Sequence, residues 1–269
     1  MKEYSVGDLS FCVTLARGDQ PAVAEYHSRV QPLALFYIEN ADGVDIANPE
    51  NGYWQVIYVF CRHSANQCSL VGYSTLFNFA APFHQPTPGN ILRVCQVLVL
   101  PLYQRQGHGR RMLSTVYDYA HGHYSKILPK QQQSDDIVQV NVEDPAPGYT
   151  RMRNRVDYER YHGDIATLKL KPSASLSKAK AVELAGAWKI TPAQVHIVHQ
   201  LDQFRKTDFS TDDSSKSFRL LVKRRLNQVH QEDLSAHNSK EAKQAALQAL
   251  YTQQLSEYKS IVKSIEASH

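Results

Sequence analysis

Residues 95–113 read CQVLVLPLYQRQGHGRRML, and the fold of the whole chain turns on how this stretch is read. Its first half completes an apolar run, Ile91–Leu100, of strand length and composition, which Pro101 stops. Its second half spaces Gln104, Gly107 and Gly109 as Gln-x-x-Gly-x-Gly and continues in a helical pattern to about Tyr124. Glycines between a strand and a helix suit a phosphate, because a backbone without Cβ lets the anion reach the amides of the first helical turn. Two versions of this device fail here. A Walker loop needs Lys-Ser/Thr after its last glycine, where Arg110-Arg111 stand. A dinucleotide fingerprint needs a third glycine, where Met112 stands. What is left is a pyrophosphate cradle at one helix N-terminus, with Arg105, Arg110 and Arg111 adding positive charge, or a glycine turn with no ligand. His108, between the glycines, reads as a spacer rather than a catalyst.

Upstream, Leu9–Ala16 reads as a strand, and 21–40 as a helix that opens on Pro21 and is broken or kinked at Pro32. Tyr53–Arg62 and Leu70–Ala80 are rich in β-branched and aromatic residues and read as a hairpin, followed by a Pro-rich connector over 81–90. Downstream, a Gln-rich loop over 129–136 leads to a strand, Ile137–Glu143, stopped by Asp144-Pro145, and another helix begins near Gly148. After about Lys171 no convincing strand follows. Thr191-Pro192 and Thr211-Asp212-Asp213 read as helix starts. Tyr251, Leu255, Tyr258, Val262 and Ile265 make a four–three stripe that fits bundle packing better than a seam for a partner helix. The expectation is an α+β domain over 1–170 and a helical domain over 171–269.

Composition narrows the class. The 42% hydrophobic and 21% charged content is that of a folded domain, and no apolar run reaches membrane-span length. Four cysteines without a CxxC pair indicate neither a zinc ribbon nor a disulfide framework, and a reducing, intracellular compartment is the simplest reading. His121-Gly122-His123 lacks a third ligand, so no metal is read there. A net charge of +4 does not call for direct nucleic-acid binding, and Lys223-Arg224-Arg225 fits a solvated helix face. Charge is nonetheless segregated. From Gln31 to Leu92 the only Lys or Arg is Arg62, whereas Glu39, Asp42, Asp45 and Glu50 fall in the first third of that segment. From Asn51 to Tyr117 there is no acidic residue, and Arg93, Arg105, Arg110 and Arg111 gather near the glycine motif. One segment would attract cations and the next anions, unless this is ordinary surface variation.

Gln-x-x-Gly-x-Gly after a hydrophobic strand is the coenzyme A motif of the GCN5-related acetyltransferase fold, which the chain resembles. That fold is a mixed, mostly antiparallel sheet flanked by helices, here followed by a small C-terminal helical domain. The resemblance sharpens with EYHSRVQPLALFYIENADGVD, VGYSTLFNF, RVCQVLVLPLYQRQGHGRRML, VNVEDP and HQLDQFRKTDFSTDDSSKSFRLLVKRRL, which occur in this order. Together they make the chain similar, from about Leu9 to Leu234, to the catalytic subunits of type B histone acetyltransferases. That family carries a separate N-terminal domain, and this chain starts about where the acetyltransferase domain starts. Serines that often follow Glu-Asp-Pro in the family are replaced by Ala146-Pro147-Gly148, which puts one hydroxyl contact to the cofactor in doubt.

The resemblance implies acetyl-CoA as co-substrate and no metal. The backbone of Val97, Leu98 and Val99 would bind the pantetheine arm, and the loop Gln104, Arg105, Gln106, Gly107, His108, Gly109 and Arg110 the pyrophosphate. It implies direct transfer to a lysine of the histone four N-terminal tail, a WD-repeat histone-binding chaperone as partner, and a nuclear and cytoplasmic location. It places Trp54 beside the peptide, with Glu39; read from sequence alone, Trp54 is nearly as well explained as a core aromatic. The rival readings are an acetyltransferase for another amine and a catalytically silent module that binds coenzyme A or histone.

Lysine acetylation needs a base, since only roughly one lysine amine in a thousand is neutral at pH 7. Alternation along Ile137–Glu143 puts Val138, Val140 and Val142 on one face and Gln139, Asn141 and Glu143 on the other, at a strand end where ligands collect in open sheets. Glu143 by itself reads better as an ordinary strand-end carboxylate. The resemblance makes it the base, with Glu39 and Asp144 as supporting or alternative carboxylates. A backbone N–H in Val97–Leu100 is the expected oxyanion donor. Cys95 has no activating His beside it in sequence and reads as a buried strand residue.

Overall fold

A computed structural model describes residues 2–39, 41–48, 52–124 and 136–267. By contacts the chain divides into two compact units, 1–146 with 185–191, and 147–184 with 192–269.

The first unit is built on a six-stranded sheet whose order follows the chain: β1 (Lys2–Val6), β2 (Leu9–Arg17), β3 (Gly52–Ser64), β4 (Gln67–Ala81), β5 (Gly89–Val99) and β6 (Ile137–Val142). All neighbours are antiparallel except β5 and β6, which are parallel. A parallel neighbour cannot be reached by a hairpin, and the crossover is made by α3 (His108–Ala120). The α+β class and the mixed, mostly antiparallel sheet flanked by helices are those expected. β1 was not anticipated: KEYSV is short and polar, and its register, Lys2 opposite Val13 through Val6 opposite Leu9, is set by β2. The segment 21–40 is broken at Gln31 into α1 (Pro21–Val30) and α2 (Pro32–Tyr37), as Pro32 requires. Most of the expected Gln-rich loop lies outside the described residues.

Each face of the sheet has its own core. On one, Val56 and Tyr58 of β3, Tyr73 of β4 and Leu98 of β5 pack with Val30, Ala34 and Ile46. On the other, α3 inserts Met112, Leu113, Val116 and Tyr117, all at most 2% exposed. The Tyr119 hydroxyl accepts a hydrogen bond from Gln55 at 2.8 Å, and the His108 ring lies tilted against Phe11, centroids 4.6 Å apart. The outer edge of β6 is covered in part: Val140 donates its N–H to the Lys189 carbonyl at 2.8 Å, and Lys189 Nζ reaches the Ala120 carbonyl at 2.7 Å. This spares an exposed strand edge.

In the second unit α4 (Pro147–Thr167) packs on α6 (Pro192–Lys206) and α9 (Lys240–Glu266), so by contacts it groups with the helices that follow rather than with the sheet. α5 (Lys178–Trp188) precedes α6 and belongs to this unit only up to Leu184, and α7 (Asp212–Val229) and α8 (Gln231–Ser235) complete the run. Tyr251, Tyr258 and Ile265 of the C-terminal stripe are buried inside this unit. The Tyr258 hydroxyl and the Arg225 Nε both donate to Gln200 Oε1 at 2.9 Å, which gives that buried amide oxygen two partners.

Two glycines give opposite expectations. Gly72 lies opposite Val99, and a Cβ there would collide with the Leu98 carbonyl, a backbone atom that cannot move aside cheaply. Gly163 sits inside α4 with nothing within 4 Å of an added Cβ. Gly72→Ala is expected to lower stability by about 1–3 kcal/mol, and Gly163→Ala to raise it by about 0.5–1 kcal/mol through helix propensity. Thermal or urea unfolding checks both signs.

Candidate active site

The site begins where β5 loses a partner. β5 pairs with β6 only from Asn90 opposite Ile137 to Val94 opposite Val142, with Glu143 N donating to the Val94 carbonyl at 3.0 Å as the last tie. Its pairing with β4 runs on to Val99. Among the described strands, the second edge of β5 is therefore unpaired from Cys95 to Val99. At the same place the β4–β5 ladder is irregular: Thr75 faces Gln96 and Leu76 faces Val94, which leaves Cys95 as an extra residue, a bulge. The bulge shifts the phase of the strand. Val94 lies on the α3 face with Leu76, whereas Gln96 and Leu98 lie on the α1–α2 face with Thr75 and Tyr73.

The sequence-predicted cofactor residues follow this opening. Leu98 turns its side chain into the core, 3% exposed, and its carbonyl toward Gly72 of β4. Val97 and Val99 are half-buried. Beyond a 3-10 turn at Pro101–Tyr103, the two glutamines brace the loop: Gln104 Nε2 donates to the Val99 carbonyl and Gln106 Nε2 to the Leu102 carbonyl, each at 3.0 Å. Gly107 caps α3 in the left-handed conformation, φ 86°, and an added Cβ would find open space. Among the described residues the helix starts with no side-chain cap and no acidic residue in its first turn. The first ladder bond is Arg111 N to the Gly107 carbonyl at 3.1 Å. Such a start leaves amides and a positive helix end for an anion. Arg105 is exposed with φ 64°, and Arg110 and Gly109 are half-buried. His108 faces the other way. Its ring is 1% exposed, Nδ1 lies 2.6 Å from the Tyr4 hydroxyl, and burial, with Arg111 nearby, lowers its pKa. It anchors the start of α3 to the β1–β2 hairpin.

On the α1–α2 face, cross-strand register sets Trp54, Phe77, Arg93 and Asn141 in one row across four strands. Trp54 is half-buried, its ring 4.7 Å from Phe77, and Phe77 stacks 5.8 Å from Phe79. Glu143 stands two residues beyond Asn141 on the same face, exposed, with Arg93 Nη1 at 3.5 Å from Oε1. Cys95 lies beside it. Burial first, and then the Glu143 charge, push this thiol up to about 12, so it is no nucleophile near neutral pH. Asp144 is exposed and left-handed, φ 32°, ending the strand. Glu39 is exposed just after α2. The acidic segment is fastened to β5, since Gln96 Nε2 donates to the Asp42 carbonyl at 2.8 Å. Asp45 is occupied locally, its carboxylate accepting from Ala47 N and Asn48 Nδ2, which lowers its pKa. Glu50 lies outside the described residues.

Sequence reading missed Phe77 and Phe79 as part of this surface, although their i, i+2 spacing on a strand puts both on one face. It noted Arg93 only as one of several arginines. Among the described residues no group of three or more His, Cys, Asp or Glu is placed to hold a metal, and no helix is long and apolar enough to cross a membrane.

No protein-family model matches the chain. Curated proteins do. The chain is 27% identical over 202 residues to the histone acetyltransferase type B catalytic subunit of Homo sapiens, across 75% of this chain and 45% of that protein. It is 25% identical over 263 residues to the protein of the same description from Kluyveromyces lactis, across 93% of this chain and 61% of that one. For Eremothecium gossypii the identity is 24% over 270 residues, 98% of this chain and 62% of the relative. A solved aminoglycoside acetyltransferase from a soil metagenome matches at 16% identity over 62% of this chain and 91% of that one; its TM-score of 0.33 carries no weight here. The chain spans about half to three-fifths of the length of these curated relatives. By sequence the chain is similar to the histone acetyltransferase type B catalytic subunits.

Proposed function

We propose that the chain is a type B histone lysine acetyltransferase, moving acetyl directly from acetyl-CoA to a lysine of the histone four N-terminal tail. The observation that carries this is the parting of β5 from β6, which presents an unpaired strand edge, an uncapped helix start and a carboxylate around one opening. Those are the three requirements of the reaction. The free edge of β5 from Cys95 to Val99 offers backbone groups to the amide-bearing arm of the cofactor. The start of α3 with Arg105 and Arg110 offers charge to its pyrophosphate. Loop residues Gln104, Gln106 and His108 serve by shaping this cradle, since their side chains are spent on Val99, Leu102 and Tyr4.

In the transfer the lysine nitrogen attacks the thioester carbon while Glu143 takes its proton. A backbone N–H of Val97–Leu100 meets the developing oxyanion. The C–S bond then breaks, and coenzyme A leaves as thiolate and is protonated. Trp54 with Phe77 offers flat apolar area to the lysine stem. Glu39 and Asp42, on the segment that Gln96 ties to β5, favour a basic peptide, and Glu39 and Asp144 are the supporting carboxylates. A WD-repeat chaperone and a nuclear and cytoplasmic location belong to the same reading.

Glu143→Gln is expected to keep acetyl-CoA affinity within about twofold and to lose 100-fold or more of turnover at pH 7. A rate within about threefold of wild type would assign the base elsewhere. Gly107→Ala places a methyl in the open space above the helix start, and calorimetry on the folded variant should show acetyl-CoA binding weakened more than about tenfold. Unchanged affinity would remove the loop from the cofactor site.

A further inference from the structure

The carboxylate read as the base has a cation beside it. Arg93 Nη1 lies 3.5 Å from Glu143 Oε1, and the same guanidinium stands 4.9 Å above the Phe79 ring. Arg93 is thus a cation held between an aromatic face and a carboxylate, in the row that contains Trp54 and Phe77. A lysine ammonium brought to Glu143 needs the same two things, a carboxylate for its charge and an aromatic face for its stem. Both cations cannot share one carboxylate oxygen without desolvation and mutual repulsion.

We propose that Arg93 is a positioning residue that occupies the cation seat of Glu143 while the site is empty and yields it to the substrate lysine. The inference rests on the reading of Glu143 as the base. Arg93 holds the carboxylate across the end of β5, and its displacement is part of lysine binding. The contact suits such a role. Both partners are partly open to solvent, the side chains 39% and 48% exposed, and a partly solvated pair of this kind is weak enough to exchange. The planar guanidinium also has a resting place when displaced, since Phe79 and its stacked neighbour Phe77 offer a continuous aromatic surface. A cation with one fixed partner would block the site, whereas one with a second seat can act as a latch.

The test is binding, read apart from turnover. Calorimetry compares a histone-four N-terminal peptide with the same peptide carrying norleucine in place of lysine, on wild type, Arg93→Met and Arg93→Lys. Loss of the competitor in Arg93→Met should tighten the lysine peptide by about two- to fivefold, the range an exposed ion pair can supply, and leave the norleucine peptide unchanged. Arg93→Lys, which keeps the charge, should behave as wild type. In a Glu143→Gln background the gain should vanish. In turnover, Arg93→Met should lower KM for the peptide and leave KM for acetyl-CoA unchanged, and Arg93→Lys should return the peptide KM to the wild-type value. Equal or weaker binding of both peptides by Arg93→Met would overturn the proposal. Wild-type protein that binds the lysine peptide but turns nothing over would instead overturn the assigned reaction, and the peptide comparison would still decide the latch.

Discussion

Among the described strands, β5 is held on both edges as far as Val94 and on one edge only from Cys95 to Val99. The rest of the site depends on this loss of one ladder. A strand inside a sheet has no backbone group to spare, so a ligand cannot be bound by it. A strand at a true edge invites another chain. Here the edge is opened for five residues within the sheet, between a strand that stops at Val142 and a helix that starts at His108. The bulge at Cys95 coincides with the opening. By shifting the phase it lets Val94 pack under α3 while Leu98, four residues on, packs under α1 and α2. Both cores can then be filled by one apolar strand, and its backbone is left facing the gap.

Charge is laid out around the gap in the way the chemistry asks. The arginines follow β5 into the helix start, where an anion would lie. The carboxylates come from the other side, on the segment after α2 and at the end of β6. Gln96 links the two, with its backbone on β5 and its side chain on the Asp42 carbonyl. Glu143 sits at the meeting point with Arg93 across from it, so this carboxylate is already matched with a cation.

Much of this was legible in the sequence, for identifiable reasons. The β3–β4 hairpin, β5 and β6 carry long β-branched and aromatic patterns, and Pro32 and Pro101 fix where elements stop. The glycine motif locates the helix start because only Gly107 readily holds φ 86° there. What was not legible depends on long-range pairing. β1 is a polar pentapeptide that becomes a strand only against β2, and α5 is an Ala-rich segment of weak amphipathic pattern. CQVLVL gives no sign of which residue bulges, since that is settled by Thr75 and Leu76 on a neighbouring strand. The pairing of Arg93 with Glu143 joins residues whose strands meet only through the α3 crossover. His108 was read as a spacer, and its buried contact with Tyr4 depends on the strand that was missed.

The most direct measurement is transfer itself. Purified chain is incubated with acetyl-CoA and a histone-four N-terminal peptide, and the peptide mass and free coenzyme A thiol are followed together. Thiol release and acetylated lysine should rise in equal amounts, and neither should appear when the peptide lysines are replaced by arginine. Thiol release that is independent of the peptide lysines, or no acetylated peptide from protein that binds both ligands, would contradict the assigned reaction.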